Sequence, residues 1–335
     1  IIFLFFFYGD IIYLVGDVMK KVVVLGGGTG LSVLLRGLKL FPVDITAVVT
    51  VADDGSSSGI LREEFNMPAV GDLRNVLVSL SYVEPLVEQL LQYRFETYSD
   101  LNNHPMGNLL LAALFNITGN LTDSLEALSK ILNIKGKVLP FTEDKAVLVA
   151  HTKDKQTIVG ESNITKAGKK IDYIEYKNKV RVTKEVITSL EEADLIILGI
   201  GSLYTSVIPN LLSKEIKKTL INSKAKKMYI CNIMTEHGET DDFNVSDCVK
   251  QLNKYVGKNF IDVVIANSKH IDTDIQEKYL EEKSTPILID EDNLKKMNVE
   301  LIKEDLAIIK NNQVRHDHLK TALTIFNYLI KEEDL

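Results

Sequence analysis

The chain of 335 residues has no tryptophan, seven prolines, and two cysteines, Cys231 and Cys248, far apart and outside any CxxC pattern. That scarcity excludes a disulfide framework and a thiolate zinc site, and it suits two ordinary buried thiols in a reduced cytosolic protein. Basic charge is also thin. Thirty-nine Lys and Arg face 46 Asp and Glu, giving a net charge of -7, and no long basic cluster occurs, so the electropositive footprint of a nucleic-acid binder is missing. The short KAGKK at 166–170 reads as a solvated turn. Histidine offers no metal set either: His316 and His318 lie two apart and share no helix face, while His151, His237 and His270 are isolated. No structural metal is expected.

Long apolar runs are confined to the start, IIFLFFFYGDIIYLVGDV. Gly9 and Asp10 interrupt it, it falls short of the roughly 20 apolar residues that a span needs, and it lacks the basic opening of a signal peptide. Met19, followed by Lys20 and Lys21, looks like a true start. Residues 1–18 are therefore expected to be a non-native leader, and no membrane association is expected.

What the chain does have is KKVVVLGGGTGLSVLLRGLK across residues 20–39. Val22 to Leu25 read as a buried strand, and Leu31, Leu34, Leu35 and Leu38 recur at helical spacing. Glycine costs about 0.5–1 kcal/mol relative to alanine inside regular structure, so five small residues in a row imply that the backbone must approach something closely. Strand, glycine loop, helix is the geometry in which free N–H groups at a helix N-terminus receive a phosphate.

A second strand, DITAVVTVADDG, completes a βαβ unit. Asp72 is placed as the N-cap of a helix carrying Leu73, Val76, Leu77 and Leu80, Pro85 opens another, and Asp123 with Glu126 forms a capping-box pattern. Residues 135–182 alternate and turn at KDKQ, as a small β lobe would. Strands then return in ADLIILGIG, KKMYICNIM and IDVVIANS, and HLKTALTIFNYLI reads as a last helix. The expectation is a Rossmann-like α/β protein with a doubly wound, mostly parallel sheet: residues 19–134 form its N-terminal half, 135–182 an inserted β lobe, and 183–335 the half that completes the sheet.

Five loops combine glycine with small polar residues at strand ends or helix starts: GGGTG, ADDGSSSG, GDLRN, HPMGN and GIGSLYTS. With GNLLLAAL and CNIMTEHGETDDF, these stretches closely resemble the YvcK subgroup of the CofD-like family, across nearly the whole chain from Met19. The wording departs at DDGSSSG, where DDGGSSG is common, at MPAVGDLRN, where PPGDLRN is expected, and at GIGS, where GPGS is common. What the resemblance implies is a cytosolic binder of UDP-sugars such as UDP-N-acetylglucosamine, a gluconeogenesis factor needed for cell shape on gluconeogenic carbon sources. The CofD subgroup itself comprises 2-phospho-L-lactate transferases. The βαβ opening alone also suits an NAD-dependent oxidoreductase, although no hydride-transfer constellation follows it.

The residues carry their own chemistry beside that resemblance. Gly27, Gly28, Thr29 and Gly30 are expected to hold one phosphate, and Gly201, Ser202, Leu203 and Thr205 a second, so that a diphosphate bridges the two halves. Asp53 stands near the position of the ribose-binding acid of dinucleotide folds, and Asp54 and Ser57 share its loop. Either a ligand contact or an ordinary capped turn satisfies them. The resemblance implies for Asp72 a part in binding acceptor or metal, while the residues alone equally allow a helix cap. Arg74, beside Asn75, can clamp a phosphate or pair with Glu63 or Glu64. His104 and Asn108 can hold an anion or satisfy a carbonyl, and Asn232 and Thr235 can meet a base or sugar. No cofactor is required, with Mg²⁺ admitted alongside a diphosphate, and self-association and protein partners stay open.

Overall fold

The computed structural model describes residues 4–7, 10–13, 19–83 and 85–331. Of the expected leader it therefore shows two short strands, Leu4–Phe7 and Asp10–Tyr13, paired antiparallel with each other; the rest of that stretch lies outside the described residues.

Seven strands make the central sheet: β1 (Lys21–Gly26), β2 (Asp44–Val49), β3 (Lys137–Pro140), β4 (Leu195–Leu198), β5 (Lys226–Ile230), β6 (Val263–Asn267) and β7 (Glu300–Glu304). Their spatial order is 3-2-1-4-5-6-7 and every pairing is parallel. This is the expected doubly wound α/β architecture. Val22 to Leu25 and Leu195 to Leu198 are fully buried, which is why these strands read as unbroken apolar runs rather than alternating ones. Helix α1 (Gly28–Leu38) packs its leucine face against α3 (Gly71–Leu80) and the final helix, His318–Lys331.

The winding fixes where ligands can go. Strand β1 has β2 on one side and β4 on the other, so the chain leaves β1 and β4 in opposite senses, and a crevice opens beyond their carboxyl ends.

Several local expectations change. The stretch 135–182 begins with β3, a strand of the central sheet, and the small antiparallel sheet proper is made by Leu148–Thr152, Thr157–Val159 and Ile171–Tyr176, with helix Glu161–Ala167 between the last two. The helix after Gly119 is capped by Asn120, whose side chain accepts from the Asp123 N–H at 2.8 Å, while Glu126 pairs instead with Lys130. Asn120 wins because it stands immediately before the first helical residue, where its short side chain reaches the free N–H groups. After β4 the chain makes a wide π-helical turn, Leu203–Val207, then a 3₁₀ turn, Ile208–Leu211, before the regular helix Lys214–Asn222. Pro209, with no N–H to give, keeps that segment from becoming one α-helix.

Candidate functional site

A cleft of about 770 Å³ opens at the carboxyl ends of β1, β4 and β5. Gly28, Thr29 and Gly30 line one side, Gly201, Ser202 and Asn232 another, and Glu161, from the small β lobe, closes over it. Helix α1 begins at Gly28, so its unpaired first-turn N–H groups face this space.

The three glycines serve different ends. A Cβ on Gly30 would lie 2.6 Å from the carbonyl oxygen of Ile200, so Gly30 lets α1 meet the loop after β4. One on Gly27 would sit 2.5 Å from the Thr50 methyl and 3.0 Å from the Asp72 carboxylate. Gly28 alone has room, with the nearest atom, Ser206 Oγ, at 3.6 Å, but it holds φ at +69°. A left-handed backbone there turns the strand into the helix and leaves the cleft unobstructed.

Asp72 does not cap its own helix. Val70 precedes α3 as its cap residue, and Asp72 lies in the first turn with its carboxyl accepting the Gly28 N–H. It thus caps α1 from a distance. Burial, then the charge of Asp53, push its pKa up to about 6, opposed by the Gly28 bond and by Arg74. Asp53 accepts the Gly55 N–H at 2.9 Å and Asp54 the Ser162 N–H at 2.9 Å, so Asp54 ties the β lobe to the β2 loop.

The second glycine loop has fewer free donors than its sequence promised. Gly201 N–H donates to Asn232 Oδ1 at 3.3 Å, and Asn232 Nδ2 returns a bond to the Gly201 carbonyl at 2.9 Å. Thr205 gives its hydroxyl to Glu239 at 3.1 Å, and the Tyr204 N–H donates to the same carboxyl at 2.8 Å. Thr205 and Leu203 are buried behind the cleft wall, while Ser202 lines the cleft with its side chain hydrogen-bonded to the Glu236 carboxyl. Thr235 lines the cleft, yet its hydroxyl accepts the Thr285 N–H at 2.8 Å and its own N–H goes to the Thr285 carbonyl.

Sequence reasoning passed over the acids that dominate this cleft, Glu161, Glu236 and Glu239. Burial, then the neighbouring charges of Asp53, Asp72 and Asp54, raise Glu161 to about 7. Burial, then Glu236, raise Glu239 to about 8, and burial raises Glu236 as well. TEHGETDDF contains two of the three, and their position just past a strand end was the available signal; nothing local marks Glu161. Lys169, Arg315 and His316 line the same cleft. His316 is buried, donates to the Cys231 carbonyl at 3.1 Å, and is held neutral by burial with its pKa lowered to about 4. Cys231 and Cys248 are free and buried.

Ser57, Arg74, Asn75, His104 and Asn108 gather elsewhere, beyond Asp53 and Asp72 rather than on the cleft surface. Asn108 donates to the Ser57 hydroxyl at 3.1 Å, and that hydroxyl shares a further hydrogen bond with His104 Nδ1 at 2.8 Å. Arg74 gives Nη2 to Asn75 at 2.7 Å. Among the described residues no group of His, Cys, Asp and Glu is arranged to hold a metal ion.

A doubly wound sheet with a helix N-terminus opening on a cleft at the switch point defines an α/β protein built to receive an anionic ligand. The chain belongs to the CofD family: the model described as 2-phospho-L-lactate transferase CofD matches residues 22–307. It is similar to the gluconeogenesis factor of Bacillus subtilis (strain 168), 48% identical over 313 residues that cover 93% of this chain and 98% of that one. It is 46% identical over 307 residues to the gluconeogenesis factor of Halalkalibacterium halodurans, covering 91% and 95% of the two chains. A crystal structure of a Bacillus halodurans protein superimposes with a TM-score of 0.89 at 46% identity, covering 92% of this chain and 99% of that chain.

Proposed function

We propose that this protein is a cytosolic, UDP-sugar-binding regulator of gluconeogenic growth and cell shape, with UDP-N-acetylglucosamine as its ligand. The observation that carries the reading is the cleft of about 770 Å³ joining the α1 N-terminus to the Ser202 loop across the switch point. In that pose one phosphate rests on the N–H groups of Thr29 and Gly30, the other reaches Ser202, and the sugar and base extend between Glu161 and the Thr235–Glu239 segment. The name carried by the relatives, gluconeogenesis factor, supports the gluconeogenic part of the reading alone.

A transferase reading is favoured by Asp72, a carboxyl with a pKa near 6 touching the helix that would hold the diphosphate, which suits a base for an acceptor hydroxyl. Calorimetry with UMP, UDP, UDP-N-acetylglucosamine, GDP and NAD, with and without Mg²⁺, separates the readings. Tightest binding of UDP-N-acetylglucosamine, far above UMP, is expected. Tightest binding of NAD sinks the UDP-sugar reading, and strict Mg²⁺ dependence with GDP moves the choice to the transferase.

A further inference from the structure

The two glycine loops of the cleft meet at one hydroxyl. A Cβ added to Gly28 would lie 3.6 Å from Ser206 Oγ, and one added to Gly201 would lie 3.5 Å from the same oxygen and 3.1 Å from Ser206 Cβ. Ser206 therefore stands where the α1 N-terminus and the loop after β4 come together, and it lines the cleft with both. Without side chains of their own, Gly28 and Gly201 leave its hydroxyl uncovered. The wide turn after β4 sets that position. The Ser202 carbonyl accepts the Ser206 N–H at 2.9 Å and also the Val207 N–H at 3.1 Å, the longer reach of a π turn. Asn210, fully buried, donates Nδ2 to the Ser206 carbonyl at 2.9 Å and to the Gly26 carbonyl, at the end of β1, at 3.4 Å. The backbone of Ser206 is thus tied to β1, and its side chain takes no part in holding the turn.

Most other hydroxyls nearby are already engaged. Ser202 bonds Glu236, Thr205 bonds Glu239, Thr165 donates to the Glu161 carbonyl, Ser284 donates to the Thr235 carbonyl, and Thr235 is held by Thr285. Helix α2 (Ser56–Glu64), which follows the β2 loop, adds none, because Ser57 and Ser58 are buried and Ser57 is bonded to His104 and Asn108. Among the described residues Ser206 Oγ has no hydrogen-bond partner, and of the serine and threonine hydroxyls lining the cleft only Thr29, on the α1 N-terminus itself, shares that condition.

We infer that Ser206 is the residue that seats a phosphoryl group of the ligand on the α1 N-terminus: its hydroxyl donates to the phosphate that the Thr29 and Gly30 N–H groups receive, so the two glycine loops close on one phosphate from different sides. The inference rests on the diphosphate reading of the cleft and sharpens it, since the second loop then meets that phosphate through Ser206, where Gly201, Ser202 and Thr205 have their hydrogen bonds inside the protein. A hydroxyl suits the place because it rotates to donate to whichever phosphate oxygen arrives.

The test is calorimetry of UDP and of inorganic diphosphate against the whole protein and its Ser206→Ala and Ser206→Cys variants, beside melting curves of the unliganded proteins. Ser206→Ala should weaken both ligands about tenfold or more, the loss of one hydrogen bond to a charged group. Its unliganded melting temperature should match wild type, because the hydroxyl has no protein partner to lose. Ser206→Cys, of similar size but a weaker donor, should fall between the two and serves if the alanine variant does not fold. The inference is overturned if the variants bind both ligands as wild type does, or if the affinity lost is accompanied by a fall of several degrees in the unliganded melting temperature, the mark of a structural role. Diphosphate binding without UDP binding, with the loss in Ser206→Ala intact, removes the nucleotide reading and keeps this one. UDP binding that is indifferent to Ser206 does the reverse, and binding of neither ligand removes both.

Discussion

Replacing Asp72 with asparagine should make the protein more stable at neutral pH. Its carboxyl is raised from 3.8 to about 6, chiefly by burial and then by Asp53, so the folded state holds that proton more tightly than the unfolded chain does. A raised carboxyl favours the folded state fully below the unfolded pKa, and the advantage is lost as pH climbs from about 4 through 6. The shift corresponds to roughly 3 kcal/mol as an upper figure for what ionised Asp72 costs above pH 6. The amide of the substituted side chain keeps an oxygen for the Gly28 N–H and removes the charge, so most of the packing survives.

Thermal and urea melts of wild type and Asp72→Asn from pH 4 to 8.5 measure this. The variant should match wild type near pH 4, gain through pH 6, and hold a constant advantage of about 1–3 kcal/mol above it, a few degrees in melting temperature. A variant less stable than wild type at pH 8, or a difference independent of pH, refutes the account of Asp72 as a strained cap on α1. Anion affinity at the α1 N-terminus should rise in the same variant, because one nearby negative charge has gone.

Gly30→Ala should destabilise by about 1–3 kcal/mol, the cost of forcing a methyl against the Ile200 carbonyl 2.6 Å away, read from urea midpoints. Gly28→Ala meets no obstacle but strains a left-handed residue, so it should lose about 1 kcal/mol of stability, with UDP-sugar affinity falling more than stability does, measured by calorimetry. Ser56→Gly should raise stability by about 0.5–1 kcal/mol, since Ser56 holds φ at +42°, a region glycine enters freely; thermal melts read the gain.

The sheet was legible because its central strands are buried on both sides and therefore write themselves as apolar runs, and GGGTG was legible because glycine has few other reasons to cluster. The loop wording even carried a structural consequence: Ser56, standing where glycine is common in the resembling subgroup, is the residue forced into a left-handed backbone. Residue roles were less legible. Asp72 looks like a local cap in sequence because nothing there shows that Gly28 lies within its reach. Thr205 and Gly201 look like free donors because Glu239 and Asn232, which consume their hydrogens, come more than thirty residues later.

The acids of the cleft make one demand on any anionic ligand. Glu161, Glu236 and Glu239 line the space a diphosphate would fill, and Asp72 lies against its floor. Lining the same cleft are Lys169 and Arg315, with His237 alongside and His316 neutral. With Glu282, which also lines the cleft, full ionisation would set five carboxylates against two permanent cations before the ligand's own charge arrived. Glu161 and Glu239, already raised to about 7 and about 8, are the groups that relieve this, because a nearby diphosphate raises a carboxyl further and binding then draws in protons. Their protonated forms favour the complex, so affinity is full below about pH 6 and declines as pH rises through 7 and 8. Calorimetry of UDP binding at about pH 7.5 in buffers of different ionisation enthalpy should show net proton uptake, and Glu161→Gln should reduce it without weakening binding. Proton release on binding, or an affinity that climbs between about pH 6 and 8.5, would show that the acids instead meet a positively charged part of the ligand.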